Sequence, residues 1–175
     1  MKENKSILII MATAVLLFIL SGSVLAEEKH YKTGVGYQGM ISAEFLNGIS
    51  ARTWIDDNFG LEGNFFCGSV DVDAPGLSFD ADLFALEAKA MYAPIVRQNS
   101  KFYFGVNLGW EYIDLDENED IWTMGIFLGS EWNFQGIPEL GFNFDIGYRY
   151  ATYDDDYFEV DLDGIAATFG IHYYF

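Results

Sequence analysis

Large apolar residues alternate with small or polar ones along most of this chain, and this period of two constrains the fold more than any other feature. The segment at residues 102–112 shows it best, because every even position holds a large apolar side chain: Phe102, Phe104, Val106, Leu108, Trp110 and Tyr112. The odd positions hold mainly Gly, Asn and Glu. Successive side chains of a β-strand point to opposite faces, so the alternation predicts a strand with one apolar face.

Eight segments carry this pattern, and we predict a β-strand in each. The four C-terminal strands are the clearest, at residues 102–112, 122–134, 140–150 and 164–175. The four N-terminal strands contain more glycine and lie near residues 32–42, 48–56, 59–70 and 80–92. Turn-forming residues follow the second, fourth and sixth strands, at 56–59, at 93–100 with Pro94, and at 135–138. The order predicts an up-and-down antiparallel sheet.

The first 26 residues have the features of an export signal. Lys2 and Lys5 precede an apolar run that ends at Leu20, and small or apolar residues at Val24 and Ala26 suit cleavage by signal peptidase. The apolar run is shorter than the roughly 20 residues that a membrane-spanning helix needs. We therefore predict a cleaved signal peptide at residues 1–26 and one barrel domain at residues 27–175.

The acidic charge of the chain excludes one class of function. Cleavage would remove Lys2, Lys5 and Glu3 from 9 basic and 27 acidic residues, which leaves 7 and 26 and a formal charge of −19. Nucleic-acid binding depends on clustered Lys and Arg, so we expect no nucleic-acid partner. The single Cys67 excludes an internal disulfide, and no Cys/His spacing indicates a zinc site.

The composition of the two strand faces indicates that the apolar face points outward. A soluble barrel would place Lys, Glu, Ser and Thr on its outer surface. Here the less apolar face holds mostly Gly with Asn and isolated charges, which suits a narrow interior. Trp and Tyr stand near the ends of the apolar rows, where such rings meet a membrane interface. The sequence thus predicts an all-β fold, an eight-stranded antiparallel up-and-down transmembrane β-barrel.

Isolated charged residues occur on the predicted inner face of the strands. Charges enclosed in a narrow barrel have to be paired or hydrated. We predict that they form a polar network in the lumen, with His172 nearby in the last strand. The predicted members are Arg52, Glu62, Glu87, Lys89, Glu111, Glu131, Asp145 and Arg149.

Three of the four remaining connections are strongly acidic, which predicts a ring of carboxylates at one end of the barrel. Carboxylate oxygens are ligands for hard divalent cations such as Ca²⁺ and Mg²⁺. The candidates for cation-binding loops are Asp116, Glu117, Glu119, Asp120, Asp154, Asp155 and Asp156. No EF-hand spacing is present, and a charge run is commonly a solvated surface, so both interpretations stay open.

The last eight residues resemble the C-terminal assembly signal of bacterial outer-membrane proteins. A polar residue, Thr168, is followed by Gly170 and by aromatic residues at Tyr173 and Phe175. With residues 48–62 at the second hairpin, the mature chain is similar to the small outer-membrane β-barrel family that includes OmpA-type, OmpX-type and opacity-type barrels. The resemblance implies insertion by the barrel-assembly machinery, termini in the periplasm, and contact with outer-membrane lipid and lipopolysaccharide.

These features together predict a non-enzymatic barrel in the outer membrane of a Gram-negative-type cell. We expect a structural or surface-interaction role, acidic extracellular loops, a lumen largely filled by side chains, and no cofactor. A minor pore for ions or small solutes is the alternative. A lipid-A-modifying enzyme would need a serine beside a histidine. The sequence indicates only Ser130 and His172 for this role, on strands that are not predicted neighbours.

Overall fold

The computed structural model describes residues 32–42, 45–74, 77–114, 119–155 and 158–175. These residues form one closed barrel whose strands each pair antiparallel with their neighbours in sequence. The strands are β1 (Thr33–Ile41), β2 (Phe45–Trp54), β3 (Phe59–Ala74), β4 (Leu77–Arg97), β5 (Ser100–Asp114), β6 (Glu119–Phe134), β7 (Ile137–Asp155) and β8 (Phe158–Tyr174). The predicted eight-stranded antiparallel barrel is therefore confirmed. Within the described ranges, no helix has the length and apolar character needed to cross a membrane.

Pairing between β8 and β1 closes the sheet. Gly34 lies opposite Tyr174 at one limit of this pairing, and Ile41 lies opposite Ala167 at the other. A strand edge exposed to lipid would leave backbone donors and acceptors without partners, at a cost of several kcal/mol for each group. Closure removes that cost.

The two ends of the barrel differ in their connections. We call the end at which β1–β2, β3–β4, β5–β6 and β7–β8 are joined the loop end. The opposite end, with the short turns after β2, β4 and β6 and the end of β8, is called the terminal end. The acidic segments of the sequence all lie toward the loop end.

Side-chain exposure shows that the apolar rows face outward. Ile49, Leu108 and Ile126 are 64%, 63% and 66% exposed, whereas Arg52 on the opposite face of β2 is fully buried. A barrel that exposes aliphatic side chains and buries charges is stable only if its outer wall meets an apolar medium. The orientation predicted from face composition agrees with this arrangement.

The strands extend further toward the loop end than the apolar rows predict. Two segments predicted as acidic loops, 71–80 and 154–163, form strand at all of their described residues, which are 71–74, 77–80, 154–155 and 158–163. That prediction was wrong because it ended each strand at the last large residue of the apolar face. Aspartates alternate with Val or Leu here, as at Val160, Asp161 and Leu162, so the backbone ladder continues with period two.

The predicted turn at 93–100 was also too long. Strand β4 continues through Pro94 to Arg97, and its pairing with β5 shifts register between Tyr92 and Ile95. Proline has no N–H group to donate to a ladder, so such a bulge is where a strand tolerates it. In the same way β7 begins at Ile137 and includes Pro138, which leaves residues 135–136 as the turn.

The turn between β2 and β3 is held by one carboxylate. The backbone N–H groups of Phe59 and Asn58 donate to Oδ1 of Asp56 at 2.7 and 2.8 Å. These two hydrogen bonds favour the ionised form and lower the pKa of Asp56, a fully exposed side chain. The geometry is that of an Asx turn, which suits a short connection between antiparallel strands.

We expect the folded barrel to be heat-modifiable. A closed sheet whose backbone groups are all paired resists SDS at room temperature and unfolds only on boiling, so the unboiled sample should migrate differently on an SDS gel. The measurement compares boiled and unboiled samples of the membrane fraction. Identical migration, or recovery of the protein in a soluble periplasmic fraction, would contradict the transmembrane barrel.

Candidate functional site in the barrel interior

Arg52 forms the centre of a buried polar network. Its guanidinium forms ion pairs with Glu62 on the adjacent strand β3 and with Glu131 on β6, the latter at 2.7 Å. It also donates to the hydroxyl of Tyr103 on β5 at 3.1 Å. One side chain therefore joins three other strands across the lumen. Arginine suits this position because its planar fork donates in several fixed directions.

Lys89 forms the second centre. Its Nζ lies 2.8 Å from Oδ2 of Asp145, 3.3 Å from Oε1 of Glu62 and 3.6 Å from Oε1 of Glu87. It also donates to Oγ1 of Thr168 at 3.0 Å. Glu62 accepts from both Arg52 and Lys89, so the two centres form one network.

Four buried carboxylates face only these two cations, and neutral donors complete their coordination. Tyr103 donates to Asp145 at 2.5 Å, and Tyr174 donates to Glu131 at 2.6 Å. The amides of Asn64 and Asn107 donate to Glu87 at 3.0 and 2.6 Å. Every carboxylate of the network thus accepts at least two hydrogen bonds or ion-pair contacts, which offsets much of the cost of burying its charge.

The remaining predicted pair lies apart from this network. Arg149 donates to Glu111 at 2.5 Å and to Oγ1 of Thr123 at 3.0 Å. This cluster stands nearer the loop end, and its side chains retain 11% and 16% exposure. The structure thus places all eight predicted residues in the interior, six in one network and two in a separate pair.

Apolar side chains close the interior on both sides of the central network. The cluster toward the loop end consists of Met40, Leu46, Phe66, Leu83 and Ala85. The cluster toward the terminal end consists of Trp54, Met91, Ala93, Tyr103, Phe127 and Tyr174. Phe127 breaks the apolar alternation of its strand in the sequence because it packs in this second cluster. The central network thus lies between two apolar clusters, and its Glu131 also lines the cavity at the terminal end.

Two cavities among the described residues differ in size and position. One interior cavity beside Lys89, Asp145 and Arg149 has a volume of about 20 Å³, which is room for about one water molecule. A larger cavity of about 260 Å³ forms a shallow mouth at the terminal end, lined by Lys32, Trp54, Lys101 and their neighbours. The buried base of this mouth is the cluster that contains Tyr174.

The residues predicted as an assembly signal divide between the two faces of β8. Tyr173 and Phe175 are 56% and 46% exposed on the outer wall. Thr168 faces inward and donates to Asp145 at 2.8 Å. Gly170 also faces inward, where the side-chain amides of Gln38 and Asn143 occupy the space that a side chain at this position would need. The motif therefore contains residues of the interior as well as of the outer wall.

The serine beside His172 is Ser50, and the interpretation that selected Ser130 was wrong. Nε2 of His172 lies 2.9 Å from Oγ of Ser50, across Gly36 of β1, which pairs with both residues. Ser130 instead donates to the backbone of Lys101. The Ser50 and His172 side chains are 4% and 1% exposed, so an external substrate has no access to them. Sequence analysis could have found Ser50, because it lies two residues before Arg52 on the same strand and therefore points to the same inner face.

The candidate cation ligands are only partly described. Asp116, Glu117 and Asp156 lie outside the described residues. Glu119 and Asp120 begin β6, and Asp154 and Asp155 end β7, so these four lie on strands and not in loops as predicted. In the part of the chain that the structure describes, no three His, Cys, Asp or Glu side chains are grouped closely enough to hold a metal ion.

Comparison with solved structures places this fold among small outer-membrane barrels. The chain is similar to the N-terminal β-barrel domain of OprF from Pseudomonas aeruginosa, at 16% identity and a TM-score of 0.53, covering 83% of this chain and 98% of that one. It is also similar to the outer-membrane proteins OprG and OprH of P. aeruginosa, at 17% and 14% identity and a TM-score of 0.52 in both cases. These matches cover 82% of this chain and 94% and 99% of the respective chains.

The protein is thus a small eight-stranded barrel with the outer-membrane fold. At these identities the likeness establishes the fold and leaves the activity to be argued from the side chains. No protein-family model matches the sequence, and no curated protein matches it in sequence comparison.

We expect Arg52→Gln to destabilise the barrel strongly. The substitution leaves Glu131 buried without its cation and Glu62 with Lys89 alone, and breaking a buried pair in this way costs roughly 3–5 kcal/mol. Urea unfolding of the barrel refolded into lipid vesicles, followed by Trp fluorescence, measures the change. The matched control is Arg97→Gln, an exposed arginine at the terminal end, which should cost less than about 0.5 kcal/mol. Equal unfolding midpoints for the two variants would show that the network does not hold the strands together.

Proposed function

We propose that this protein is a non-conducting, non-enzymatic outer-membrane barrel with a structural and surface-interaction role. The filled interior carries the proposal. The lumen contains an ion-pair network between two apolar clusters, and the interior cavity beside Lys89 holds only about 20 Å³. A pore needs a continuous hydrated path, and eight-stranded barrels are narrow enough for side chains to fill. What this barrel does for the cell therefore takes place on its outer surfaces.

The buried position of the Ser50 and His172 pair supports a non-enzymatic role. A nucleophile and its base have to reach the reacting atoms of a substrate. Both side chains lie between the apolar clusters, and among the described residues Nδ1 of His172 has no hydrogen-bond partner that would orient the ring as a base. The pair is better explained as one of the lateral contacts between β2 and β8 across the glycine of β1.

The loop end supports a surface role through its charge. The segments 68–82, 111–123 and 150–164 contain no Lys or Arg and carry many of the carboxylates of the chain. With the termini in the periplasm, as the resemblance implies, this end faces the exterior. We propose that it attracts cationic partners and repels polyanions through its field rather than through a coordination site. Insertion by the barrel-assembly machinery and export through residues 1–26 belong to the same proposal.

We expect planar lipid bilayers to show no conductance steps from the purified barrel. Arg149→Gln, which removes the ion pair nearest the loop end, should be equally silent because both apolar clusters and the central network remain. A known porin serves as the positive control, and detergent without protein as the negative one. Conductance steps that grow larger in Arg149→Gln would establish the minor pore and overturn the filled-lumen proposal.

We expect polylysine to bind the refolded barrel in a salt-dependent manner, while calcium gives no saturable heat in isothermal calorimetry. Exposed charges more than about 8 Å apart are screened at 0.15 M salt, so binding through the field weakens as salt rises. Replacing Asp154, Asp155 and Asp156 by Asn should reduce polylysine binding, and Asp57→Asn at the terminal end should reduce it less. Saturable calcium binding that this triple variant abolishes would establish a coordination site instead.

A further inference from the structure

An apolar groove with a volume of about 710 Å³ crosses the outer wall from β3 to β7. Two rows of outward side chains flank it. One row runs by register from Leu61 through Ala90 to Tyr148, and the other runs from Phe59 through Tyr92 to Ile146. The groove spans four strand spacings, or about 19 Å at roughly 4.8 Å per spacing. Its volume lies within the roughly 300–1,000 Å³ of typical ligand clefts.

The floor of the groove is a row of backbone whose residues either have no side chain or point it into the barrel. Gly60, Gly105 and Gly147 alternate there with Met91 and Phe127. A Cβ atom added at Gly105 would lie 2.6 Å from the Phe127 ring, and one at Gly147 would lie 2.7 Å from Cβ of Phe127, so neither position has room for a side chain. Phe127 and Met91 are only 8% and 2% exposed. They close the groove from within, so it is a depression in the wall and not an opening into the lumen.

The surroundings of the groove define the chemistry of its occupant. It lies on a wall whose apolar side chains face hydrocarbon, and its lining is apolar apart from the tyrosine hydroxyls. A convex outer wall touches a long apolar molecule along one side only. A groove contacts such a molecule on several sides and therefore buries more of its apolar surface. A lipid acyl chain has the required shape and chemistry.

The charge at the two ends of the barrel indicates which kind of lipid supplies the acyl chain. The groove begins at the terminal end, where Ile55 and Phe59 line it beside the β2–β3 turn. The cavity at this same end is lined by Lys32, Arg97 and Lys101 together with three carboxylates, Asp56, Asp57 and Glu131. A phosphate group therefore meets cations at this end, whereas the loop-end segments 68–82, 111–123 and 150–164 contain no Lys or Arg. The loop end carries carboxylates and would repel the phosphates of lipid A. We propose that the groove holds one acyl chain of a phospholipid whose headgroup lies at the terminal end.

Native mass spectrometry of the barrel with lipids tests this proposal. The barrel is released from mixed micelles that contain phosphatidylethanolamine and, in a separate sample, lipid A. Ala90→Trp places an indole in the groove. Ala88→Trp is the matched control, because Ala88 is exposed on the same face of the same strand but does not line the groove. We expect the wild type and Ala88→Trp to retain a phospholipid that Ala90→Trp loses, and lipid A not to take its place.

Three outcomes would overturn the proposal: equal phospholipid retention by all three proteins, preferential retention of lipid A, or a dimer that Ala90→Trp disrupts. The dimer would show that a second copy of the chain occupies the groove. Heat-modifiable migration checks that each variant is folded. If Ala90→Trp does not fold, Ala90→Leu narrows the groove with a smaller change and is judged by the same measurement.

Discussion

The bridging of Glu62 by Arg52 and Lys89 is the interaction on which the interior of this barrel depends. A carboxylate shared by two cations links the β2 side of the network to the β4 side, and through Glu131 and Asp145 to β6 and β7. Burying ions costs several kcal/mol for each one, so such a network contributes little net stability compared with a well-packed apolar core. What it contributes is specificity, because the charges are satisfied only in this arrangement of strands.

Strand register is the property that this specificity protects. A slip of one residue between two strands would turn every inward side chain of one strand toward lipid. For β2 such a slip would place Arg52 on the outer wall, where a charge at the middle of the bilayer costs roughly 2–4 kcal/mol. Inside, it would leave Glu131 unpaired and Glu62 with Lys89 alone. The apolar clusters on either side of the network strengthen the effect, because a mispaired charge is more costly in surroundings of low dielectric constant.

The period of two predicted the four C-terminal strands, and together with the need to close the sheet and the composition of the two faces it predicted the strand number, the orientation of the faces and the inward position of Arg52, Lys89 and their partners. It could not predict where the strands end, because Asp71 or Asp161 can occupy a ladder whose backbone pairing does not depend on side-chain polarity. The period of two also could not predict which side chains contact each other across the lumen. Tyr103 and Glu131 meet Arg52 across the lumen, and such contacts depend on shear and on barrel cross-section, which alternation along one strand does not encode.

Glycine connects the interior of this barrel to its outer wall. An eight-stranded lumen has room for large side chains such as Tyr103 and Phe127 only if the positions beside them are small, and Gly129 and Gly105 fill those positions. Three such glycines, Gly60, Gly105 and Gly147, lie in the row of backbone that forms the floor of the outer groove. The same glycines therefore lie beside the large side chains that pack in the lumen and beneath the groove that we propose to hold a lipid chain.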